Sequence, residues 1–193
     1  MSIADHTLAD YLSALGSKAS TPGGGAAAAL SGAQAAALIS MVLNLSKDFP
    51  SDEAKAGLLK QTEAAITAFT SLADRDAEAF SKLMLAFKQK TDIEAASQAS
   101  AQPPLACLGL AQGLSASIQV LYQHGNPNLV TDTAIAALLL ENTIRSSELN
   151  VLINLRSIKD DAFIQAARQI IQDAKSVLPD LEAIANNIAE QIS

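Results

Sequence analysis

The chain has 193 residues, enough for one domain with a full core. Hydrophobic residues make up 49% and charged residues 17%, which excludes a disordered chain. The net charge of −7, with no basic run, argues against nucleic acid as a partner, and the single Cys107 excludes an intramolecular disulfide and a zinc site built on cysteines.

The N-terminus, Met1-Ser2-Ile3-Ala4-Asp5-His6, lacks the basic-then-apolar order of a secretory leader. With one free cysteine, this sets the expectation of a reducing compartment, the cytoplasm. A short helix is expected from Thr7 to Leu15: Thr7 and Asp10 have capping-box spacing, and Gly16 is a stop. Next comes Thr21-Pro22-Gly23-Gly24-Gly25, directly before an Ala-rich apolar run that ends near Ser46. A glycine-rich helix start exposes backbone N–H groups and lets backbone approach a ligand closely. It equally suits tight helix packing. It is not a phosphate-binding loop, because the Gly-Lys-Ser/Thr ending is absent. Ala19 to Ser46 carries no charge and is long enough to span a bilayer. Its Ala, Gly and Ser content, with Gln34 and Asn44 inside, favours a buried helix over a membrane span, and no second run of this kind follows.

Asp48-Phe49-Pro50-Ser51 breaks that helix, with Ser51 as the next N-cap. The third helix is expected from Asp52 to Phe87, with Ala65, Phe69, Leu72, Phe80, Leu83 and Phe87 on one face. Asp76 falls inside this apolar stripe, so it needs a partner or has a raised pKa. Asp74 and Glu78 lie off the stripe and read as solvated. Lys88 to Gln102 reads as polar and irregular, and Pro103-Pro104 as the opening of a fourth helix to Tyr122. Asn126-Pro127-Asn128 is a turn. A fifth helix begins at Thr131 or Asp132 and reaches Arg156, with a bend allowed at Ser146-Ser147. Asp160 or Asp161 caps the last helix, which Pro179 kinks or interrupts. The expected fold is an all-α antiparallel bundle of long helices, one domain over residues 1–193.

Three constellations are candidates for chemistry. The first is the glycine turn. The second is Asn126, Asn128 and Asp132, where amides sit beside a carboxylate at a helix start, a place that favours negative charge. Ordinary turn and cap chemistry explains it as well. The third is Asn150 and Asn154, one helical turn apart with Thr143 and Ser147 near them; this stripe lines a cleft or faces water. His6 and His124 are isolated, and no metal site is expected.

These residues, taken in order, resemble the family of the cyclodeaminase domain of formiminotransferase-cyclodeaminase and the methenyltetrahydrofolate cyclohydrolases. The resemblance rests on Leu8-Ala9-Asp10-Tyr11-Leu12 before Thr21-Pro22-Gly23-Gly24-Gly25, and on Met41-Val42 with Asn44-Leu45. It continues through Asp76 with Ala79-Phe80, Pro104-Leu105, Gly125-Asn126 with Asn128, Thr131-Asp132, and Asn150-Val151 with Asn154-Leu155. Ala26 stands where the family usually carries serine.

The resemblance implies an all-helical homodimer acting on one-carbon derivatives of tetrahydrofolate, with no cofactor beyond that substrate. One implied activity hydrolyses methenyl-tetrahydrofolate to 10-formyl-tetrahydrofolate. The other releases ammonia from 5-formimino-tetrahydrofolate. The implied catalytic residues are Asp132 and Asp76. The implied substrate-binding residues are Pro22, Gly23, Gly24, Gly25, Asn44, Asn126, Asn128 and Asn154. The alternative is a folate-binding or structural helical dimer on the same scaffold, without turnover.

Overall fold

The computed structural model describes residues 2–47, 49 and 51–193. These form seven α-helices: α1 (Leu8–Leu15), α2 (Gly24–Leu45), α3 (Asp52–Gln89), α4 (Ile93–His124), α5 (Val130–Leu155), α6 (Asp161–Lys175) and α7 (Leu178–Gln191). Single 3₁₀ turns sit at Ile3–Asp5 and Pro127–Leu129, and no strand occurs among the described residues. Asp48 and Pro50 of the expected helix break lie outside the described residues, but Ser51 caps α3 as expected, accepting from Ala54 N–H at 3.0 Å.

Helices α2, α3, α4 and α5 form a closed ring in which each packs on the next, and α6 and α7 brace α4 and α5 from outside. Ring neighbours run antiparallel. Gly25 faces Asp76, Gly32 faces Phe69, and Lys55 Nζ donates to Ser46 O at 2.6 Å, so α3 descends as α2 rises. The all-helical bundle expected from composition is therefore what forms. Its core is fine-grained: Ala26, Ala29, Ala35, Ala36, Ala101, Ala111, Ala136 and Ala137 are buried between the larger Phe69, Leu108, Ile118, Leu140 and Ile144. Small residues at these positions let the helix backbones approach closely.

Four features differ from the sequence reading. Asp74 is not solvated: it accepts from Ser2 Oγ and from Ile3 N–H at 2.7 Å, and so ties the N-terminal turn to α3. Only Glu78 behaves as a surface residue, paired with Lys82 at 2.6 Å.

The second difference is α4, which begins at Ile93 and not at the prolines. Lys88 to Gln102 contributes only a short corner, with Lys90 and Asp92 left-handed, before helix resumes. Glu94, Ala95, Ala96, Gln98, Ala99 and Ala101 are good helix formers, and the helix continues straight through Pro103 and Pro104. Pro104 has no N–H to give the Ser100 carbonyl, and Asn154 Nδ2 from α5 donates to that carbonyl instead, at 3.4 Å. A neighbouring side chain thus relieves part of the proline defect.

Third, α4 joins α2 in being long and apolar enough to cross a membrane by length and composition, so α2 is not alone in this. Both are ring helices whose buried faces belong to the shared core. Fourth, α5 is one continuous helix through Ser146-Ser147. Pro179 does interrupt the chain as expected: it sits in the first turn of α7, just after α6 ends.

Candidate active site

At one end of the ring, the N-terminus of α2 opens onto a cavity of about 460 Å³. Gly23 has no side chain to cap α2, and the Asp76 carboxylate from α3 takes the Ala26 N–H of the first turn instead. The three glycines are not there for unusual dihedrals, since none has positive φ. Space accounts for two glycines of α2, Gly25 and Gly32. A Cβ on Gly25 would collide with the Asp76 carboxylate, and one on Gly32 would come within 2.6 Å of the Phe69 ring.

Asp76 therefore lies directly against the α2 backbone. It is only partly buried, and burial pushes its carboxyl above the ordinary value, while a hydrogen bond from the Ala26 backbone N–H opposes this. Ala26 thus contributes its backbone to Asp76. Behind Asp76 lies Cys107, whose thiol is pushed up to about 12, first by burial and then by the Asp76 charge. Such a thiol is not a nucleophile at neutral pH.

The cavity has two unlike walls. Phe80, Leu83 and Phe87, spaced along one face of α3, make an apolar wall. Opposite it, α4 and α5 bring Ser97, Ser100, Asn150 and Asn154, with Arg156 at the rim. The Glu94 carboxylate accepts from the backbone N–H groups of Lys159 and Asp160 at 2.6 and 2.9 Å, which pins the start of α4 to the end of α5. The Asn154 amide nitrogen spends both of its N–H groups on carbonyls, and the Asn150 nitrogen spends one. Asn150 Nδ2 donates to Ser146 O at 2.9 Å, and Asn154 Nδ2 donates to Asn150 O at 2.8 Å as well as to Ser100 O. Carbonyls only accept, so both side-chain oxygens remain as acceptors.

Of the residues expected at the site, Gly23, Gly24, Gly25, Asp76 and Asn154 come together here. Pro22 lines a separate shallow hollow beside Ser2, His6 and Asp74. Asn44, Asn126, Asn128 and Asp132 lie at the other end of α2, about 30 Å away by helix rise. Asn126 and Asn128 line a second hollow there, with Lys47 and His124. The Asn126 amide is engaged within the chain: Nδ2 donates to Leu45 O, and Oδ1 accepts from Asn128 N–H. Asn44 and Asn128 are exposed, and Asp132 is half-buried in the first turn of α5.

Sequence reasoning missed Ser97 and Ser100, which were hidden in the stretch read as irregular. It also missed Arg156, which caps the C-terminus of α5 off the Asn150–Asn154 stripe, and Ser157, which continuing that stripe by one turn would have reached. Phe80 and Phe87 were read as core, whereas Phe87 is 43% exposed on the cavity wall. Among the described residues no cluster of three or more His, Cys, Asp or Glu is placed to hold a metal.

A half-buried carboxylate with a raised pKa, joined to the first turn of α2 and set between an aromatic and an amide wall, is an arrangement able to exchange protons with a ligand in the cavity. The sequence comparisons say which class of helical protein builds it. A sequence model of the formiminotransferase-cyclodeaminase family matches residues 7–173, and the chain belongs to that family. It is 32% identical to the methenyltetrahydrofolate cyclohydrolase of Methylorubrum extorquens, over 97% of this chain and 96% of that protein. It is 33% identical to the formimidoyltransferase-cyclodeaminase of Rattus norvegicus, covering 94% of this chain but only 38% of the rat protein. The fold matches the crystal structure of formiminotetrahydrofolate cyclodeaminase from Thermotoga maritima with a TM-score of 0.91 and 26% identity, over 98% of both chains.

Proposed function

We propose that the chain is an enzyme of folate one-carbon metabolism that hydrolyses methenyl-tetrahydrofolate to 10-formyl-tetrahydrofolate, with deamination of 5-formimino-tetrahydrofolate as the second reading. The observation that carries it is Asp76, held against the glycine turn in a cavity with one apolar and one polar wall. Both an end-to-end cyclohydrolase relative and an end-to-end cyclodeaminase structure match, and the higher identity to the cyclohydrolase, 32% against 26%, favours hydrolysis.

In hydrolysis, water adds to the cationic methenyl carbon between N5 and N10. Asp76 takes one proton from that water and returns it to N5 as the tetrahedral carbon breaks its bond to N5, while the hydroxyl loses its remaining proton to solvent as the formyl C=O forms. In deamination, N10 attacks the formimino carbon, and the proton it loses travels to the departing ammonia. Both routes need one group that accepts and returns a proton at a single carbon. A carboxyl with a pKa lifted by burial suits that task better than a fully solvated one. The charge change is confined to acid–base steps, so no cofactor beyond the folate substrate is required. Arg156 at the rim suits a carboxylate of the folate tail. The cytoplasm is the compartment this reading implies.

The test is loss of the near-ultraviolet absorbance of methenyl-tetrahydrofolate with purified protein. Turnover clearly above the buffer rate is expected, and a rate equal to buffer sinks the hydrolase reading.

The active form in this proposal is a homodimer. Helix α2 carries no charge, and its outward line is Ala27, Leu30, Gln34, Ala37, Leu38 and Met41. Beside it, α5 exposes Ile135, Leu138, Leu149 and Ile153 directly opposite its buried face. An apolar seam this long is characteristic of an interface. A two-fold axis through its middle sets the glycine end of one subunit against the partner's Asp132 end, which joins the two separated clusters. Light scattering should give twice the 20.0 kDa chain mass, and Leu138→Glu should give monomer. Inactive Asp76→Asn and Asp132→Asn chains, mixed and allowed to exchange subunits, should recover about a quarter of wild-type activity. No recovery, with exchange demonstrated, removes Asp132 from the partner's site.

A further inference from the structure

Ser97 is fully buried, and its Oγ has no hydrogen-bond partner within the chain, although the residue lines the cavity. Mid-helix serines commonly donate to the carbonyl four residues back, but this one does not. A buried hydroxyl left without a partner costs free energy, and a ligand site is one place where that cost is recovered. Its surroundings narrow what that ligand offers. The Asn154 amide nitrogen spends both of its N–H groups on backbone carbonyls and the Asn150 nitrogen spends one, so the two side-chain oxygens are left as acceptors on this wall. Phe80 and Phe87 on the opposite wall suit a planar ring.

We propose that Ser97 contacts the substrate: a turn about χ1 brings its hydroxyl into the cavity, where it joins the Asn150 and Asn154 side-chain oxygens in binding a ring edge rich in N–H donors. Given the folate reading above, on which this rests, that edge is the 2-amino-4-oxo-pyrimidine end of the pterin. The ring lies along the aromatic wall with its amino and ring N–H groups toward α4 and α5. The subsite thereby selects the pterin by its donors, while the glycine turn and Asp76 serve the reacting carbon.

The test pairs two serines of the same helix. Ser117 is also fully buried with an unpartnered Oγ, but it does not line the cavity. Ser97→Ala and Ser117→Ala should both keep or raise the melting temperature, because each removes a hydroxyl that no protein group satisfies. Calorimetry with tetrahydrofolate and with its analogue lacking the 2-amino group separates their roles. Wild-type protein should bind tetrahydrofolate about tenfold more tightly than the analogue. Ser97→Ala should lose about fivefold to tenfold in tetrahydrofolate affinity and part of that preference, and Ser117→Ala should lose neither. Unchanged affinity in Ser97→Ala overturns the proposal, as does a drop in its melting temperature, which would mark a packing role. Equal wild-type affinity for the two ligands overturns the donor-edge assignment. If wild-type protein binds no tetrahydrofolate, the folate reading itself fails and this inference fails with it.

Discussion

Asp76→Asn should lower kcat for methenyl-tetrahydrofolate hydrolysis by about 10²–10⁴-fold with little change in KM. The amide keeps the shape of the carboxyl and still accepts from Ala26 N–H, so binding survives while proton transfer does not. The same substitution should not cost stability at neutral pH. Burial raises the Asp76 carboxyl above its ordinary value of 3.8. The folded state therefore holds that proton more tightly than the unfolded chain does. The resulting stabilisation is complete below the ordinary value and is lost as pH climbs through the raised one. Above that raised value the wild-type protein holds an ionised carboxylate where burial disfavours it, and the amide removes that penalty. Thermal melts at pH 7 should show the variant as stable as wild type or more so, with the difference shrinking towards acid. A large loss of stability at pH 7, or unchanged kcat, would remove Asp76 from the proton-transfer role.

Gly25→Ala should be nearly as damaging to turnover, by a different route. The added methyl would occupy space now filled by the Asp76 carboxylate, with α2 backbone behind it. Asp76 must swing away, which should cost about 10²-fold in kcat because a displaced catalytic group loses its alignment. Two neighbouring glycines act as controls. Gly24 has nothing within 4 Å of an added Cβ, so Gly24→Ala should leave Asp76 in place and cost less kcat than Gly25→Ala. Gly32→Ala would meet the buried Phe69 ring at 2.6 Å and should cost about 1–3 kcal/mol of stability with kcat retained in the folded fraction. Kinetics and melts on the three variants together separate a site effect from a packing effect. Equal loss of kcat in Gly24→Ala and Gly25→Ala would contradict the steric account.

The contrast among these glycines shows what the sequence could and could not say. Three successive glycines pointed to close backbone approach, and at Gly25 that approach is to Asp76. Asp76 itself was legible as a carboxylate misplaced on an apolar stripe. Helix existence and order followed from apolar periodicity and caps such as Ser51. What failed was local chemistry that depends on distant partners. Pro103-Pro104 read as a helix start because the Asn154 amide that meets the freed Ser100 carbonyl lies 54 residues away. That misreading also hid Ser97 and Ser100. Asp74 read as solvated because its partners, Ser2 and Ile3, come from the opposite end of the chain sequence. The Asn126–Asp132 group lies at the opposite end of α2 from the glycine turn within one chain, and a monomer's sequence says nothing of what a second subunit brings to either end.

The proline pair in α4 reaches further than helix geometry. Pro104 leaves the Ser100 carbonyl free, and that carbonyl helps hold the Asn154 nitrogen away from the cavity. With an ordinary residue at position 104, the helix would claim the carbonyl itself, and Asn154 would lose one of its two restraints and gain freedom to flip. The wall would then show a donor where it now shows an acceptor. A residue that touches no ligand thus helps to set the sign of the hydrogen bonds a ligand must offer. Ligand preference in this fold is in part written into a defect of the neighbouring helix.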